Sequence, residues 1–402
     1  MEVKSGYKQT EVGVIPEDWN VFQLSESFRI YAGGDVPKHS VSKSRSETHP
    51  YPIFANALQN RGLYGFTSER RAKADSLTIT ARGYLGHAEY RDEEFFPIVR
   101  LLVLEPSGAL DARFTTFAVN ERIKFAFEST GVPQLTAPQV GKYSVAAPPL
   151  SEQRAIAEAL SDVDELLGGL DRLIAKKRDL KQAAIQQLLT GQTRLPGFHG
   201  EWEVKRIGEF TDCTAGGTPS TSVPAYWGGS IRWMSSGELN LKRVREVEGR
   251  ITEKGLANSS TKMIPEKCVL IGLAGQGKTR GTVAMNFVEL CTNQSIAAIF
   301  PNLAFVPEYL YYNLDSRYDE LRDLSSGDGG RGGLNLKLIR SLRVPLPPIP
   351  EQTAIADVLT EMDAELAALE QRGEKTRALK QAMMQELLTG KTRLVQTEAE
   401  HA

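Results

Sequence analysis

One stretch of this chain occurs twice, at a constant offset and without a gap. Glu152-Gln153 returns 199 positions later as Glu351-Gln352. The same shift carries Leu135 onto Leu334, Val145 onto Val344, Pro148-Pro149 onto Pro347-Pro348, Ala155-Ile156-Ala157 onto Ala354-Ile355-Ala356, and Asp164 onto Asp363. It ends with Leu180-Lys181-Gln182-Ala183 on Leu379-Lys380-Gln381-Ala382, Leu188-Leu189-Thr190-Gly191 on Leu387-Leu388-Thr389-Gly390, and Thr193-Arg194-Leu195 on Thr392-Arg393-Leu394. A repeat of this length, with unlike sequence between the copies, means two structural units of one kind. A fainter repeat lies upstream, where Trp19 and Ala32-Gly33-Gly34 correspond to Trp202 and Ala215-Gly216-Gly217, 183 positions on. Each half begins alike, diverges and ends alike, so the middles, 35–134 and 218–333, carry whatever differs between them.

At 402 residues the chain is too long for one ordinary core, and the usual size of about 150 residues per domain suggests two or three. The repeat selects two globular domains, 1–145 and 194–344, each followed by a helical segment, 146–193 and 345–394, with a flexible tail over 395–402. A hydrophobic content of 41% without an apolar run long enough to span a bilayer points to a soluble protein with no membrane partner. The start, Met-Glu-Val-Lys-Ser, has no apolar core of a signal peptide, and a cytoplasmic location is expected. Cys213, Cys268 and Cys291 are odd in number and widely spaced, which argues against a disulfide framework or a thiolate zinc site. His39, His49, His87, His199 and His401 form no helical i, i+4 pair, so no metal site is expected. A net charge of −2 excludes a global basic field, so any nucleic-acid contact must use local positive charge or a partner subunit's.

From Ser151 to Gly191 the sequence loses Pro and gains Ala, Leu, Gln and Glu, enough for a helix of about 60 Å. Pro148-Pro149 and Pro347 to Pro350 pre-set the helix starts, and the Leu-Thr-Gly ends supply a C-terminal glycine. Ile156, Leu160, Val163, Leu167, Leu170 and Ile174 alternate spacings of four and three, the heptad signature. Ile355, Leu359, Met362, Leu366 and Leu369 keep the same register in the second copy. The seam breaks at Lys177 and Gly373, then is expected to resume through Leu180, Ala184 and Leu188, and through Leu379, Met383 and Leu387. Two long helices with one apolar stripe each are expected to pair with each other, although packing of each on its own domain is the competing arrangement. The end of the chain reads like the junction between the halves, so it should lie near the chain's start. The expected fold is therefore α+β: two mixed α/β globular domains in a pseudo-twofold arrangement, separated by two long antiparallel helices forming a coiled coil.

Gly272 to Thr279 fits the phosphate-binding pattern G-x-x-x-x-G-K-[ST], and alone would suggest a nucleotide hydrolase using Lys278. That chemistry needs a helix directly afterwards, whose terminal amides hold the phosphates. Arg280-Gly281 and a strand-like run follow instead. The alternative is a hairpin tip carrying Gln276, Lys278, Thr279 and Arg280: glycines let backbone approach a phosphate, cations neutralise it, and Gln or Arg can read base edges. The first half has a weaker analogue in Arg82, Tyr84 and His87 after the strand Ser76 to Thr80. Further candidate DNA-binding residues are Arg70, Arg71 and Lys73 in the first half, and Arg243 and Arg331 in the second. No catalytic residue is expected. A protein-binding coiled-coil scaffold is the remaining alternative.

These residues resemble the specificity (S) subunit of type I restriction–modification systems. The resemblance rests on Pro148 to Ala157 (Pro-Pro-Leu-Ser-Glu-Gln-Arg-Ala-Ile-Ala), Pro347 to Ala356 (Pro-Pro-Ile-Pro-Glu-Gln-Thr-Ala-Ile-Ala), the Leu-Leu-Thr-Gly ends, Gly275 to Gly281 and Thr292 to Gln294. It covers the chain from end to end and is specific because the segments are duplicated in this order. It implies a non-catalytic subunit with two target-recognition domains that bind double-stranded DNA at a bipartite asymmetric sequence. It also implies two methyltransferase (M) subunits carrying S-adenosylmethionine, and restriction (R) subunits using ATP and Mg. Domains at the two ends of a helical rod could reach major-groove segments about one turn of duplex apart.

Overall fold

The computed structural model describes residues 5–37, 40–126, 133–275, 279–324 and 333–394. The chain divides into two compact units, Met1–Asp171 with Gln371–Ala402, and Arg172–Glu370. Each unit therefore joins one globular domain to a portion of both long helices. Among the described residues, no helix is long and apolar enough to cross a membrane.

In the first unit, β1 (Phe28–Ala32), β2 (Ser76–Ile79), β3 (Ala88–Arg91) and β4 (Leu102–Pro106) form one antiparallel sheet in the order β1-β4-β2-β3. Side chains alternate across such a sheet, so its two faces enter different cores. Leu77, Ile79, Leu102 and Leu104 pack with Phe114 and Val119 of α1 (Ala112–Arg122), while Val103 packs on the other side with Phe54, Phe95 and Leu101. Asp111 caps α1, its carboxylate accepting from the Phe114 amide at 2.9 Å. Asn20–Gln23 pairs antiparallel with Ser144–Ala147, closing the domain immediately before α2 (Leu150–Leu188).

The second unit repeats the plan. Its sheet contains β5 (Cys213–Ala215), β6 (Arg243–Val244), β7 (Val269–Gly272), β8 (Val283–Asn286) and β9 (Ile296–Ile299), in the order β5-β9-β7-β8-β6. The first four positions of that order match β1-β4-β2-β3, and β6 adds a parallel edge. Val269, Ile271, Met285, Ala297 and Ile299 face one core with Tyr309 and Leu310 of α3 (Pro307–Asp315), whereas Leu270, Ala284, Ile296 and Ala298 face another. Glu203–Arg206 pairs with Arg343–Leu346 before α4 (Ile349–Leu387).

The repeated side chains do the same work in each unit. Gln153 accepts from the backbone amide of Asp111 at 2.8 Å and donates to the carbonyls of Ala109 and Pro148. Gln352 accepts from the amide of Val306, which precedes α3, at 2.9 Å and donates to the Pro347 carbonyl. Each glutamine thus fastens the start of a long helix to the start of the helix that covers the sheet. Glu152 and Glu351, 2% and 1% exposed, receive Arg393 and Arg194 respectively. The end of the described chain does lie beside its beginning: Arg393 also holds Asp18, and the Tyr7 hydroxyl donates to the Gly390 carbonyl at 3.3 Å.

The long helices run antiparallel within each unit. In the first, Lys380 pairs with Asp164 at 2.6 Å and Arg377 with Asp171. In the second, the same sequence positions give Lys181 with Asp363 and Arg178 with Glu370. Of the expected seam, Ile156, Leu160, Leu170, Ile355, Leu359 and Leu366 are buried, and Val163, Leu167, Met362 and Leu369 are half-buried. Ile156 and Leu160 also belong to the first domain's core, as Ile355 and Leu359 do to the second's, so helix pairing and packing on the domain coexist. The expected continuation is corrected in one respect. Leu180 and Leu379 are 46% and 57% exposed, and Lys181 and Lys380 occupy the inward positions through their ion pairs. The alternation of four and three that runs through Ile174 and Lys177 arrives at Lys181, and in the second copy through Gly373 at Lys380, so Leu180 and Leu379 each fall one position off the stripe.

Candidate nucleic-acid interface

Strand register brings three connections to one end of the first sheet. Ala32, Leu102, Ile79 and Ala88 form a row across β1-β4-β2-β3, and beyond it project Gly33-Gly34, the hairpin tip 80–87, and the turn 98–101. Asn56 ties two of these together, donating to the Val99 carbonyl and accepting from the Ala81 amide at 2.7 Å. The second sheet has the same end. Ala215, Ala297, Ile271 and Val283 form the row, and Gly216-Gly217, residues 273–275 and 279–282, and the turn 292–295 extend past it. Leu135 and Leu334, another repeated pair, dock at corresponding places through amides that donate to the carbonyls of Ala81 and Leu273, both at 3.0 Å.

The sequence-selected residues distribute unevenly over this surface. Arg82 and Tyr84 lie on the first tip; Tyr84 is 64% exposed, while Arg82 donates to the Gln134 side chain at 3.0 Å. His87 is half-buried, with its ring edge-on to Tyr84 and Nε2 3.3 Å from Glu89. Burial works to raise the Glu89 carboxyl, but hydrogen bonds from His87 and Arg61 hold it below the usual range. Arg71 stacks over Phe96 at 4.6 Å, with its guanidinium beside Gly34. Arg70 is paired with Glu94, and the Lys73 amide is bound to Glu105, farther along β4 from the loop end. The two neighbouring guanidinium groups, Arg70 and Arg71, are therefore engaged by different partners.

In the second domain Thr279 and Arg280 lie on the tip and are half-buried. Gln276, Lys278 and Arg331 fall outside the described residues. The element after the Gly272–Thr279 pattern is strand β8, antiparallel to β7, so the helix that would hold phosphates is replaced by a hairpin. Arg243 faces the long helices: it donates to the Tyr312 hydroxyl at 2.7 Å, lies over the Tyr311 ring at 4.3 Å and sits 3.7 Å from Asp363. Its position favours a structural part over contact with a ligand at the tips. Among the described residues, no group of three or more His, Cys, Asp or Glu could hold a metal ion.

Sequence reasoning missed Asn56, Val99 and Arg100. Val99 and Arg100 adopt φ of +53° and +60°, a backbone that a branched residue rarely takes and that no pattern of residue types announces. Asn293, within the Thr292 to Gln294 segment singled out in the sequence, donates from its amide to the Met234 carbonyl at 3.0 Å and from its side chain to Ser236 at 3.5 Å.

The family model "Type I restriction modification DNA specificity domain" matches residues 16–176 and 199–380. The chain therefore belongs to the type I restriction–modification specificity family. It is 22% identical over 435 residues to the type I restriction enzyme MjaVIII specificity subunit of Methanocaldococcus jannaschii, covering 94% of each chain. It is 32% identical over 167 residues to the EcoR124I/EcoR124II specificity subunit of Escherichia coli, covering 41% of each. Its fold is similar to the crystal structure of the type I restriction–modification S subunit from M. genitalium, with a TM-score of 0.66, 16% identity, and coverage of 96% and 98%.

Proposed function

We propose that this chain is the DNA sequence-specificity subunit of a type I restriction–modification complex, itself non-catalytic, and that each domain reads one half of a bipartite asymmetric target. The observation that carries this reading is the repeated sheet end: one scaffold, built twice, presents unlike side chains from its tip loops. Different side chains on equivalent loops suit two different half-sites better than a palindrome. The repeated helices set the unread spacer and, with the domain surfaces, dock two M subunits and the R subunits. Those partners hold S-adenosylmethionine, ATP and Mg, and supply part of the phosphate neutralisation that a chain of net charge −2 lacks. A cytoplasmic location suits this role.

The test is to replace residues 35–134 with the corresponding segment of another specificity subunit and sequence the methylome of cells carrying the complex. One half of the modified motif should change while the other half persists. A change in both halves, or in neither, would sink the two-module reading.

A further inference from the structure

In the first domain, the turn 98–101 rests on the repeated glycine pair. The Val99 and Arg100 amides donate to the carbonyls of Gly34 and Gly33 at 2.8 and 3.2 Å, and the Gly33 amide donates back to Leu101 at 2.8 Å. The fit requires glycine, since a β-carbon on Gly33 would lie 2.6 Å from the Pro97 carbonyl carbon. The clamp, with Asn56 on the Val99 carbonyl, holds two consecutive residues in the left-handed region, a conformation that persists only where its surroundings impose it. The consequence is a fixed presentation: Val99 is 47% exposed, and Arg100 beside it is exposed as well.

Arg100 differs from its neighbours in having nothing to hold. Arg61, Arg70 and Arg45 are paired with Glu89, Glu94 and Glu93, and Arg82 is bound to Gln134. Arg91 is buried against Phe54, and Arg71 lies over Phe96. Among the described residues of this domain, Arg100 is the arginine whose side chain has no hydrogen bond, ion pair or ring contact. The second domain uses the same cradle for different chemistry. A β-carbon on Gly216 would lie 2.0 Å from the Thr292 carbonyl, the Gly217 amide donates to that carbonyl at 2.8 Å, and the exposed residue carried by the turn is Gln294.

We propose that the glycine-cradled turn is the base-reading loop of the first domain, and that Arg100 reads a guanine of its half-site through the major-groove edge. This rests on the DNA-reading function proposed above. A free guanidinium fork matches the O6 and N7 acceptors of guanine, and the adjoining Val99 methyl groups suit the 5-methyl of a neighbouring thymine. Strained, pinned backbone lowers the ordering cost that an arginine on a loose loop would bear on binding.

The test uses the complex with its M subunits and duplexes in which each base pair of the methylome motif is replaced in turn. Arg100→Ala should weaken cognate binding about 10- to 100-fold and abolish discrimination at one G·C pair, leaving the second half-site intact. Arg100→Lys should keep affinity for unrelated duplexes but not that discrimination, because an ammonium lacks the fork. An equal loss on every duplex would mean a phosphate contact and overturn the assignment, as would a first half-site without guanine on either strand. Unchanged discrimination in Arg100→Ala, with a half-site that still follows the 35–134 exchange, overturns the Arg100 assignment alone. If that exchange also leaves the motif unchanged, the DNA-reading function fails with it.

Discussion

Arg393 grips Glu152 with two hydrogen bonds of 2.8 and 2.6 Å, joining residues 241 positions apart in sequence. The carboxylate is 2% exposed and the arginine side chain 28%. A buried carboxylate needs such a fork, because desolvation penalises an unpaired charge far more than the pair itself contributes. Arg194 and Glu351 repeat the arrangement in the other unit, where the Trp202 indole adds a donor at 3.2 Å.

Arg393→Ala should therefore destabilise the first unit by about 2–4 kcal/mol, below the full cost of orphaning a buried charge because the site is partly solvated. Glu152→Gln together with Arg393→Ala should recover part of that loss, since no charge is then left unpaired. Denaturant unfolding of the two variants checks the order.

The acid side of stability should report the same clasp. The Arg393 side chain hydrogen-bonds to Asp18 and holds its carboxyl below the usual range, although partial burial opposes this. The native carboxyl thus binds its proton less tightly than the unfolded chain does. Its stabilising contribution is present above the ordinary aspartate value of about 3.9 and is lost as pH falls below that value through the lowered native one. Melting temperatures recorded from neutral pH downwards should fall less steeply below about pH 4 in Asp18→Asn than in the parent protein.

Much of this architecture was legible in the residues because duplication exposes it. The pairs Glu152 and Glu351, Gln153 and Gln352, and Lys181 and Lys380 mark contacts that both units must make, so the repeat records the joints of the fold. The helices could be read from their stripes, but following residue type rather than spacing past Lys177 and Gly373 selects Leu180 and Leu379, which are exposed, where the register carries Lys181 and Lys380 inward. The interface loops were harder. Arg70 and Arg71 are adjacent in sequence yet serve different contacts, and Arg100 becomes conspicuous only beside the partners of the other described arginines of its domain.

The cysteines should behave as inert core residues. All three are free and buried, and burial pushes the Cys268 thiol up to about 12 and raises Cys213 and Cys291 as well. Since the thiolate is the reactive form, a disulfide reagent at mild alkaline pH should label the native chain at least about 100-fold more slowly than the denatured one. Rapid labelling of Cys268 without unfolding would contradict its place among Met234, Leu270 and Ala284.

Two leucines on α4 separate the seam from its flank. Leu359 is 0% exposed and packs among Leu188, Ile207 and Tyr309, whereas Leu379 is 57% exposed. The four-and-three spacing that runs through Leu359, Met362, Leu366 and Leu369 arrives at Lys380 and leaves Leu379 one position off the stripe. Leu359→Glu should cost several kcal/mol, on the order of 3–5, because it removes buried apolar area and places a carboxylate within an apolar cluster. Leu379→Glu should stay within about 0.5 kcal/mol, since its side chain already meets water and glutamate is a good helix former. Urea midpoints of the two variants give the comparison directly: equal destabilisation would place Leu379 back in the seam and contradict the inward role of Lys380.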